Sequence, residues 1–150
     1  MHPKLIDQGI QTIDASSLPR LALGSGISLS VLADNDTGSV LRLEWGRFSL
    51  VTAPALDTAG ETIMINNGLA LPSTALLLAN SGSSESASEA WVVALNPRLA
   101  LISVGAGNPD ANPAPEVLAR LAGHDVLRTD QHGAIPLETD GREMWVEVQR

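Results

Sequence analysis

The chain has 150 residues, enough for one domain of ordinary size, and 44% of them are hydrophobic. No apolar run reaches the roughly 20 residues that a membrane-spanning helix needs, and the N-terminus lacks the pattern of a signal peptide. The absence of cysteine excludes disulfides, thiolate metal sites and cysteine nucleophiles. The net charge of −8 and the nine scattered Lys and Arg residues oppose tight binding to a phosphate backbone.

The first predicted elements are antiparallel strands. Residues 27–32 and 40–45 alternate apolar with polar side chains, which is typical of half-buried strands. The segment 34–38 between them is rich in turn-forming residues. Gly46 and Arg47 then form a two-residue connection of the kind that closes a hairpin, with residues 48–52 as the returning strand.

Two short helices are predicted in the middle of the chain. Asp57 can cap a helix over residues 58–65. Either Ser86 or Ser88 can cap a second helix that runs through Ala94. Both predictions depend on a side-chain oxygen placed just before a helical segment, where it can accept a hydrogen bond from a free backbone N–H.

Strands are predicted between and after these helices. The apolar runs 74–79 and 99–104 are long enough for strands that are buried on both faces. Pro115 suits the first turn of a third helix over residues 116–122, and residues 125–128 resemble a short strand.

The chain is predicted to end in a second hairpin. Residues 130–133 are predicted to form a turn, residues 134–138 and 144–148 strands, and Asp140–Gly141 the connection between those strands. The order is hairpin, strand–helix–strand–helix–strand, terminal hairpin, which predicts an α/β (α+β) domain. The three tryptophans, Trp45, Trp91 and Trp145, are expected in or at the edge of the core.

Several segments, taken in order, resemble the C-terminal half of a metallo-β-lactamase domain of the kind fused to ComEC-type DNA-uptake (competence) channels. They are LALGSGISLSVL, SVLRLEWGRFSLVT, LNPRLALISVGAGN, PEVLARL and RTDQHGAI. The resemblance implies an N-terminal extension over residues 1–20 and a degenerate metallo-β-lactamase-like domain over residues 21–150. It also implies a half sandwich, in which a mixed sheet built from two hairpins and strand–helix–strand units carries helices on one face.

The chain departs from this family where the family holds its metals. Residues 52–54 are Thr-Ala-Pro instead of Thr-Gly-Asp, residues 80–83 are Asn-Ser-Gly-Ser instead of His-His-Gly-Ser, and residues 111–115 are Ala-Asn-Pro-Ala-Pro instead of Gly-His-Pro-His-Pro. Asn and Ser are poor ligands for zinc or manganese, and the side chains of Ala and Pro cannot bind a metal at all. We therefore expect no bound metal, no cofactor and no catalytic residue.

The replaced positions still define a candidate site. If the family frame holds, Pro54, Asn80, Ser81 and Asn112 should converge on one edge of the sheet as the rim of a vestigial cation site. A serine nucleophile in the Ser-rich loop is not favoured, because no histidine lies in a matching loop to act as its base. His132 is expected to be a structural residue of its turn.

The sequence favours a catalytically inactive, metal-free domain with a structural or protein-binding role in bacterial DNA uptake. One alternative is half of a metal-dependent nuclease or hydrolase that another chain completes, and a second is a stand-alone dimeric binding module. Half of a sandwich leaves one sheet face without a partner, so we expect a protein partner or a homodimer. DNA binding should be weak at most. The domain should be soluble and bacterial, either part of or associated with a plasma-membrane DNA-uptake protein.

Overall fold

The computed structural model describes residues 20–35 and 38–148, with the side chain of Asn35 left out. They form a mixed α/β fold on a seven-stranded sheet in which the strand order follows the chain order. The strands are β1 (Arg20–Gly24), β2 (Ile27–Asn35), β3 (Gly38–Trp45), β4 (Phe48–Thr52), β5 (Ala75–Leu77), β6 (Leu99–Ile102) and β7 (Asp125–Arg128). A separate antiparallel pair consists of β8 (Leu137–Thr139) and β9 (Met144–Val146).

The sheet changes character at β4. Strands β1 to β4 pair antiparallel, whereas β4 to β7 are parallel. Helices α1 (Thr58–Asn66), α2 (Glu89–Leu95) and α3 (Pro115–Arg120) each connect two successive parallel strands, and α4 (Thr129–His132) follows β7. Right-handed crossovers that always step in the same direction place all three connecting helices on one face of the sheet.

The larger core lies between this sheet face and the helices. Val51, Leu76 and Ile102 of the sheet pack in one buried cluster with residues of the helical layer, among them Met64 of α1, Trp91 of α2 and Val117 of α3. Each of these side chains is at most 2% exposed. The mixed sheet with helices on one face agrees with the fold class predicted from the sequence.

The terminal hairpin covers part of the opposite sheet face. Phe48, Ala75 and Leu99 are buried there, and Leu137, Met144 and Val146 of β8 and β9 pack against them. The backbone N–H of Arg47 donates a 2.6 Å hydrogen bond to the carbonyl oxygen of Gly141, which ties the tip of this hairpin to the turn between β3 and β4. The hairpin thus covers this face over β4 to β7 and reaches Leu43 of β3.

The same face continues over β1 and β2, where no described element covers it. Leu21 pairs with Leu29, and Leu29 pairs with Leu43, whose neighbour in register on β4 is Leu50. Leu43 and Leu50 belong to the cluster under the hairpin, so this whole row points away from the helices. Leu21 on the edge strand is 37% exposed. We call Leu21 and Leu29 the open apolar face.

The predicted local signals of the helices are largely confirmed. Asp57 caps α1 by accepting a 2.8 Å hydrogen bond from the backbone N–H of Gly60. Ser88, one of the two candidates, caps α2 by accepting from the N–H of Trp91 at 3.3 Å. Both caps are local chemistry, so the sequence pattern was sufficient to predict them.

The strand predicted at residues 27–32 is confirmed within β2, but β1 was not predicted. Ser25 and Gly26, with φ of 52° and 78°, form a tight turn that separates the two strands. Two predictions are corrected. The turn predicted at residues 130–133 is instead the last part of the one-turn helix α4, which Gly133 N–H closes onto the Thr129 carbonyl at 3.0 Å. Trp145 is 53% exposed, because the alternation of β9 points it away from the sheet.

Two predicted segments fall partly outside the described residues. Most of the proposed N-terminal extension lies outside the described residues, and Arg20 is already the first residue of β1. The predicted turn segment 34–38 includes Asp36 and Thr37, which also lie outside them, whereas Asp34 belongs to β2. None of the helices in the described part is long and apolar enough to cross a bilayer.

Candidate functional site

The loops that follow β4, β5 and β6 meet at one edge of the sheet. The carboxyl ends of parallel strands lie side by side, which is where ligand sites of open α/β sheets form. Asn80, Ser81 and Asn112 line a cavity of about 700 Å³ at this edge. Pro54 does not line it, but its carbonyl oxygen accepts a 3.1 Å hydrogen bond from the N–H of Asn80. The structure therefore brings the four residues of the candidate site into one neighbourhood.

The loop after β5 enters the cavity in a strained conformation. Asn80, Ser81 and Gly82 have φ angles of 47°, 54° and 74° in succession. A non-glycine residue in this region carries a conformational cost of about 1 kcal/mol or more. A Cβ atom on Gly82 would lie 2.8 Å from the Cβ of Pro113, so only glycine fits where the two loops touch. Gly82 also accepts a 2.9 Å hydrogen bond from the N–H of Ala114 through its carbonyl oxygen.

Asn108 fixes the shape of the loop after β6. Its side-chain Nδ2 donates a 2.9 Å hydrogen bond to the carbonyl oxygen of Asn112, and its Oδ1 accepts one of 2.9 Å from the N–H of Asn112. Between them, Ala111 has a φ of 52°. This pair of hydrogen bonds holds the backbone of Asn112 at the cavity.

A buried carboxylate supports the loop from behind. Glu61 of α1 is 1% exposed and accepts hydrogen bonds from the N–H groups of Ala87 at 2.6 Å and Ser88 at 2.8 Å. Burial raises the pKa of Glu61, and these hydrogen bonds partly oppose that shift. Arg120 of α3 donates from Nη1 to the carbonyl oxygen of Ser86 at 3.2 Å. Two helices therefore hold the segment that connects the cavity to α2.

Hydrogen bonds join the carboxyl end of β7 to the segment that follows β6. Thr129 Oγ1 donates to the carbonyl oxygen of Val104 at 2.7 Å and accepts from the N–H of Val104 at 2.8 Å. Arg128 donates from Nε and Nη2 to the two carboxylate oxygens of Asp130, at 3.0 and 2.6 Å. The hydrogen bonds from the Arg128 guanidinium lower the pKa of Asp130.

The cavity is polar and negatively charged. Asp110 and Glu116 line it together with Ser83 and Ser84, and none of the lining residues that the structure describes is cationic. Neither Asp110 nor Glu116 was predicted as a site residue, although both stand within a few residues of Asn112 in the sequence and could have been found by that proximity. Two carboxylates without a cationic partner repel phosphate groups and favour neutral or cationic ligands.

The donor groups around the cavity do not fit a dinuclear zinc or manganese centre. Such centres are built from several imidazoles and carboxylates that converge on the ions, and this cavity supplies amides, hydroxyls and two carboxylates. His132 Nδ1 accepts a 3.2 Å hydrogen bond from the N–H of Arg128, and His124 lies at the opposite edge with Nδ1 2.6 Å from the Pro97 carbonyl oxygen. Within residues 20–35 and 38–148, no three His, Asp or Glu residues are grouped to hold a metal ion.

Comparison with known proteins finds similarity to two curated bacterial proteins. The chain is 35% identical over 105 residues to competence protein ComA of Neisseria gonorrhoeae, which covers 68% of this chain and 15% of that protein. It is 34% identical over 103 residues to ComE operon protein 3 of Bacillus subtilis (strain 168), which covers 67% of this chain and 13% of that protein. No family model and no solved structure matches the chain. The chain is therefore similar to one segment of two much longer proteins, spans about one seventh of the length of each, and shares this similarity with a protein named as a competence protein.

Proposed function

We propose that the chain is a catalytically inactive, metal-free metallo-β-lactamase-like domain with a structural or protein-binding role in bacterial DNA uptake. In this role it is part of, or bound to, a plasma-membrane DNA-uptake protein. One observation carries the proposal: amide and hydroxyl side chains, those of Asn80, Ser81 and Asn112, surround the cavity at the carboxyl edge of the parallel strands. A hydrolase of this type needs imidazoles there.

The chemistry of the cavity supports inactivity. A two-metal hydrolase lowers the pKa of a bound water by holding cations in a dense set of nitrogen and carboxylate ligands. Asp110 and Glu116 alone are too few for two such ions, and neutral amides bind them weakly. The same carboxylates oppose the approach of a DNA phosphate, so the cavity is unsuited both to the catalyst and to the substrate of a nuclease.

Metal content and nuclease activity test the proposal together. Protein that has been incubated with Zn²⁺ or Mn²⁺ and then dialysed should retain far less than one ion per chain in elemental analysis. It should cleave neither single-stranded nor duplex DNA in the presence of those ions. Stoichiometric retention of a transition metal together with DNA cleavage would overturn the proposal.

A gain-of-function variant tests whether the cavity is a vestigial metal site. The triple substitution Asn80→His, Ser81→His and Asn112→His introduces three imidazoles around the cavity. We expect this variant to bind Zn²⁺ more tightly than the parent in a competition titration with a chromogenic chelator. The matched control is Asn66→His with Asn67→His, at the exposed end of α1. Equal zinc affinity in the two variants would contradict the vestigial-site assignment.

The open apolar face favours a second candidate function, that of a dimeric binding module. Leu21 and Leu29 face the same side as the residues under the terminal hairpin, without a described element over them. Burying such a row removes apolar surface from water, and it carries no charge that would repel an identical surface. We therefore propose a homodimer in which two copies of this face pack together.

Light scattering distinguishes the dimer from the monomer. At tens of micromolar, the unaltered chain should have the mass of two chains, and Leu21→Glu should shift it to the mass of one. Ile63→Glu is the matched control, because Ile63 is 60% exposed but lies on α1, in the layer on the other side of the sheet. A single-chain mass for the unaltered protein would rule out this homodimer.

A further inference from the structure

The amino-terminal edge of the parallel strands, opposite the candidate site, carries a cluster of arginines. Arg47 lies in the turn between β3 and β4, Arg98 immediately precedes β6, and Arg142 lies in the turn of the terminal hairpin. They line one pocket of about 190 Å³ with Phe48, Thr74, Glu143 and Met144. The chain has nine Lys and Arg residues and a net charge of −8, so three arginines in one pocket are a marked local concentration of positive charge.

The guanidinium groups of these three arginines are available for a ligand. All three residues are exposed, and among the described residues none of their side chains makes an ion pair or a hydrogen bond. Other arginines of the chain behave differently. Arg42 donates to Glu44 and Arg128 to Asp130, each with an N–O distance of at most 3.1 Å.

The backbone holds the three segments of the pocket together. The N–H of Arg47 donates to the carbonyl oxygen of Gly141 at 2.6 Å, and the N–H of Arg98 donates to that of Thr74 at 3.1 Å. Thr74 Oγ1 in turn donates to the carbonyl oxygen of Arg47 at 3.4 Å. The turn, the start of β6 and the terminal hairpin are therefore fixed relative to one another without using a single guanidinium.

We propose that this pocket, formed by Arg47, Arg98 and Arg142, binds a phosphate group. Guanidinium groups present planar pairs of N–H donors that match the oxygens of a phosphate. Glu143 is the one carboxylate in the pocket lining, and Asp140 lies beside it with its Oδ1 accepting a 2.8 Å hydrogen bond from the N–H of Arg142. Three guanidinium groups against these two carboxylates leave a net positive charge that an anion neutralises. A volume of about 190 Å³ holds one phosphate group with water, but it is small for a whole nucleotide.

The proposal does not depend on the function proposed above, because the pocket and the cavity near Asn80 lie at opposite edges of the sheet. The phosphate can be inorganic phosphate or a phosphodiester of single-stranded nucleic acid. Both sources share the chemistry that the arginines recognise. The net charge of −8 disfavours further anion sites, so we expect each chain to bind a single phosphate group.

Two probes and matched variants test the pocket. Inorganic phosphate is titrated by calorimetry, and a fluorescein-labelled single-stranded oligothymidylate by fluorescence anisotropy, both at low ionic strength. We expect Arg98→Gln and Arg142→Gln each to weaken binding by about tenfold, because each removes a charge-assisted donor. Arg20→Gln is the control with the same change of net charge. Arg20 lies on β1, away from the pocket, and its Nη2 is 3.8 Å from Oε2 of Glu44.

The outcomes are distinct. Saturable phosphate binding that is weakened about tenfold in Arg98→Gln and unchanged in Arg20→Gln supports the site with free phosphate as its ligand. Tighter, salt-dependent binding of the oligonucleotide, with a salt slope lower by about 0.7 in each pocket variant, supports it with a phosphodiester ligand. The proposal is overturned if the unaltered chain binds neither probe at millimolar concentration, or if all three variants weaken binding equally.

Discussion

Glu61 accepts a 2.6 Å hydrogen bond from the backbone N–H of Ala87, a residue 26 positions later in the chain. The contact joins α1 to the segment that leads from the cavity to α2. It buries a carboxylate to 1% exposure, and Ser88 donates the second hydrogen bond to the same group. The local shape of the cavity loop therefore depends on a side chain that does not line the cavity.

Replacing Glu61 should destabilise the fold in proportion to the hydrogen bonds that are lost. Glu61→Ala leaves two buried N–H groups without an acceptor, and we expect a loss of about 2–4 kcal/mol in the free energy of unfolding. Glu61→Gln keeps one acceptor oxygen and should cost less than half as much. Urea unfolding at neutral pH, followed by circular dichroism, measures both. Equal losses in the two variants would show that hydrogen bonding is not the cause.

The burial of Glu61 also predicts the sign of a pH dependence. Because its folded pKa is raised, the folded state holds this proton more tightly than the unfolded chain, whose Glu pKa is about 4.3. The resulting stabilisation is complete below that value and is lost as the pH rises through the folded pKa. The stability of the unaltered chain relative to Glu61→Gln should therefore fall as the pH rises above about 4.3. A difference that grows with pH in urea titrations would contradict the assignment.

Asp130 should show the opposite sign. The Arg128 guanidinium lowers the pKa of this carboxyl in the folded state, so its stabilisation is present above the unfolded value of about 3.9 and is lost as the pH falls through the folded pKa. We expect Asp130→Asn to reduce stability at pH 6 and to have a progressively smaller effect in acid. Thermal unfolding between pH 2.5 and 6 measures this. An effect of constant size over that range would be inconsistent with an ion pair.

Gly82 provides a test of the contact between the two cavity loops. Gly82→Ala places a methyl group 2.8 Å from the Pro113 ring at a residue with a φ of 74°, so the loops must separate. We expect a loss of about 2–3 kcal/mol in unfolding free energy. Gly105→Ala is the control, since an added Cβ there meets no atom within 4 Å, and it should change stability by less than about 0.5 kcal/mol.

Arg42 joins the sheet to the segment before β5. This residue is 7% exposed, and its side chain donates to the carbonyl oxygens of Leu71 at 3.1 Å and Pro72 at 2.9 Å. Arg42→Leu removes the donors to both carbonyl oxygens and leaves Glu44 with only Arg20, at 3.8 Å, as a cationic partner. We expect a loss of about 2–4 kcal/mol in unfolding free energy. The exposed Arg20→Gln should cost less than about 1 kcal/mol. If the denaturant midpoints of the two variants shift equally, the buried hydrogen bonds of Arg42 contribute no more to stability than the exposed side chain of Arg20.

The sequence predicted the contacts between residues that are close along the chain and missed those between residues that are far apart along it. Asp57 and Ser88 were predicted as caps because each bonds an N–H only three positions away. Ser25 was missed, because its left-handed turn interrupts an otherwise continuous strand pattern. Glu61 was also missed, since nothing in the neighbouring residues indicates that its carboxylate is buried against a loop from another part of the chain.

The two candidate sites show the same contrast. Asn80, Ser81 and Asn112 were named through a family resemblance, because no local pattern indicates which loops meet at a sheet edge. The resemblance did not point to Asp110 and Glu116, which determine the charge of the cavity. Arg47, Arg98 and Arg142 appeared scattered in the sequence. Only the parallel register of β4, β5 and β6 and the return of the terminal hairpin bring them together.

Each strand of the large sheet lies beside the strand that precedes it in the chain. When a strand of this sheet leaves the ribosome, the neighbouring strand with which it pairs has therefore already been translated. In this order each new strand pairs with the strand just before it in the chain, so only the short connection between them has to close. The entropic cost of each step is therefore low. We expect the sheet to grow during translation from β1 towards β7, with the terminal hairpin docking last.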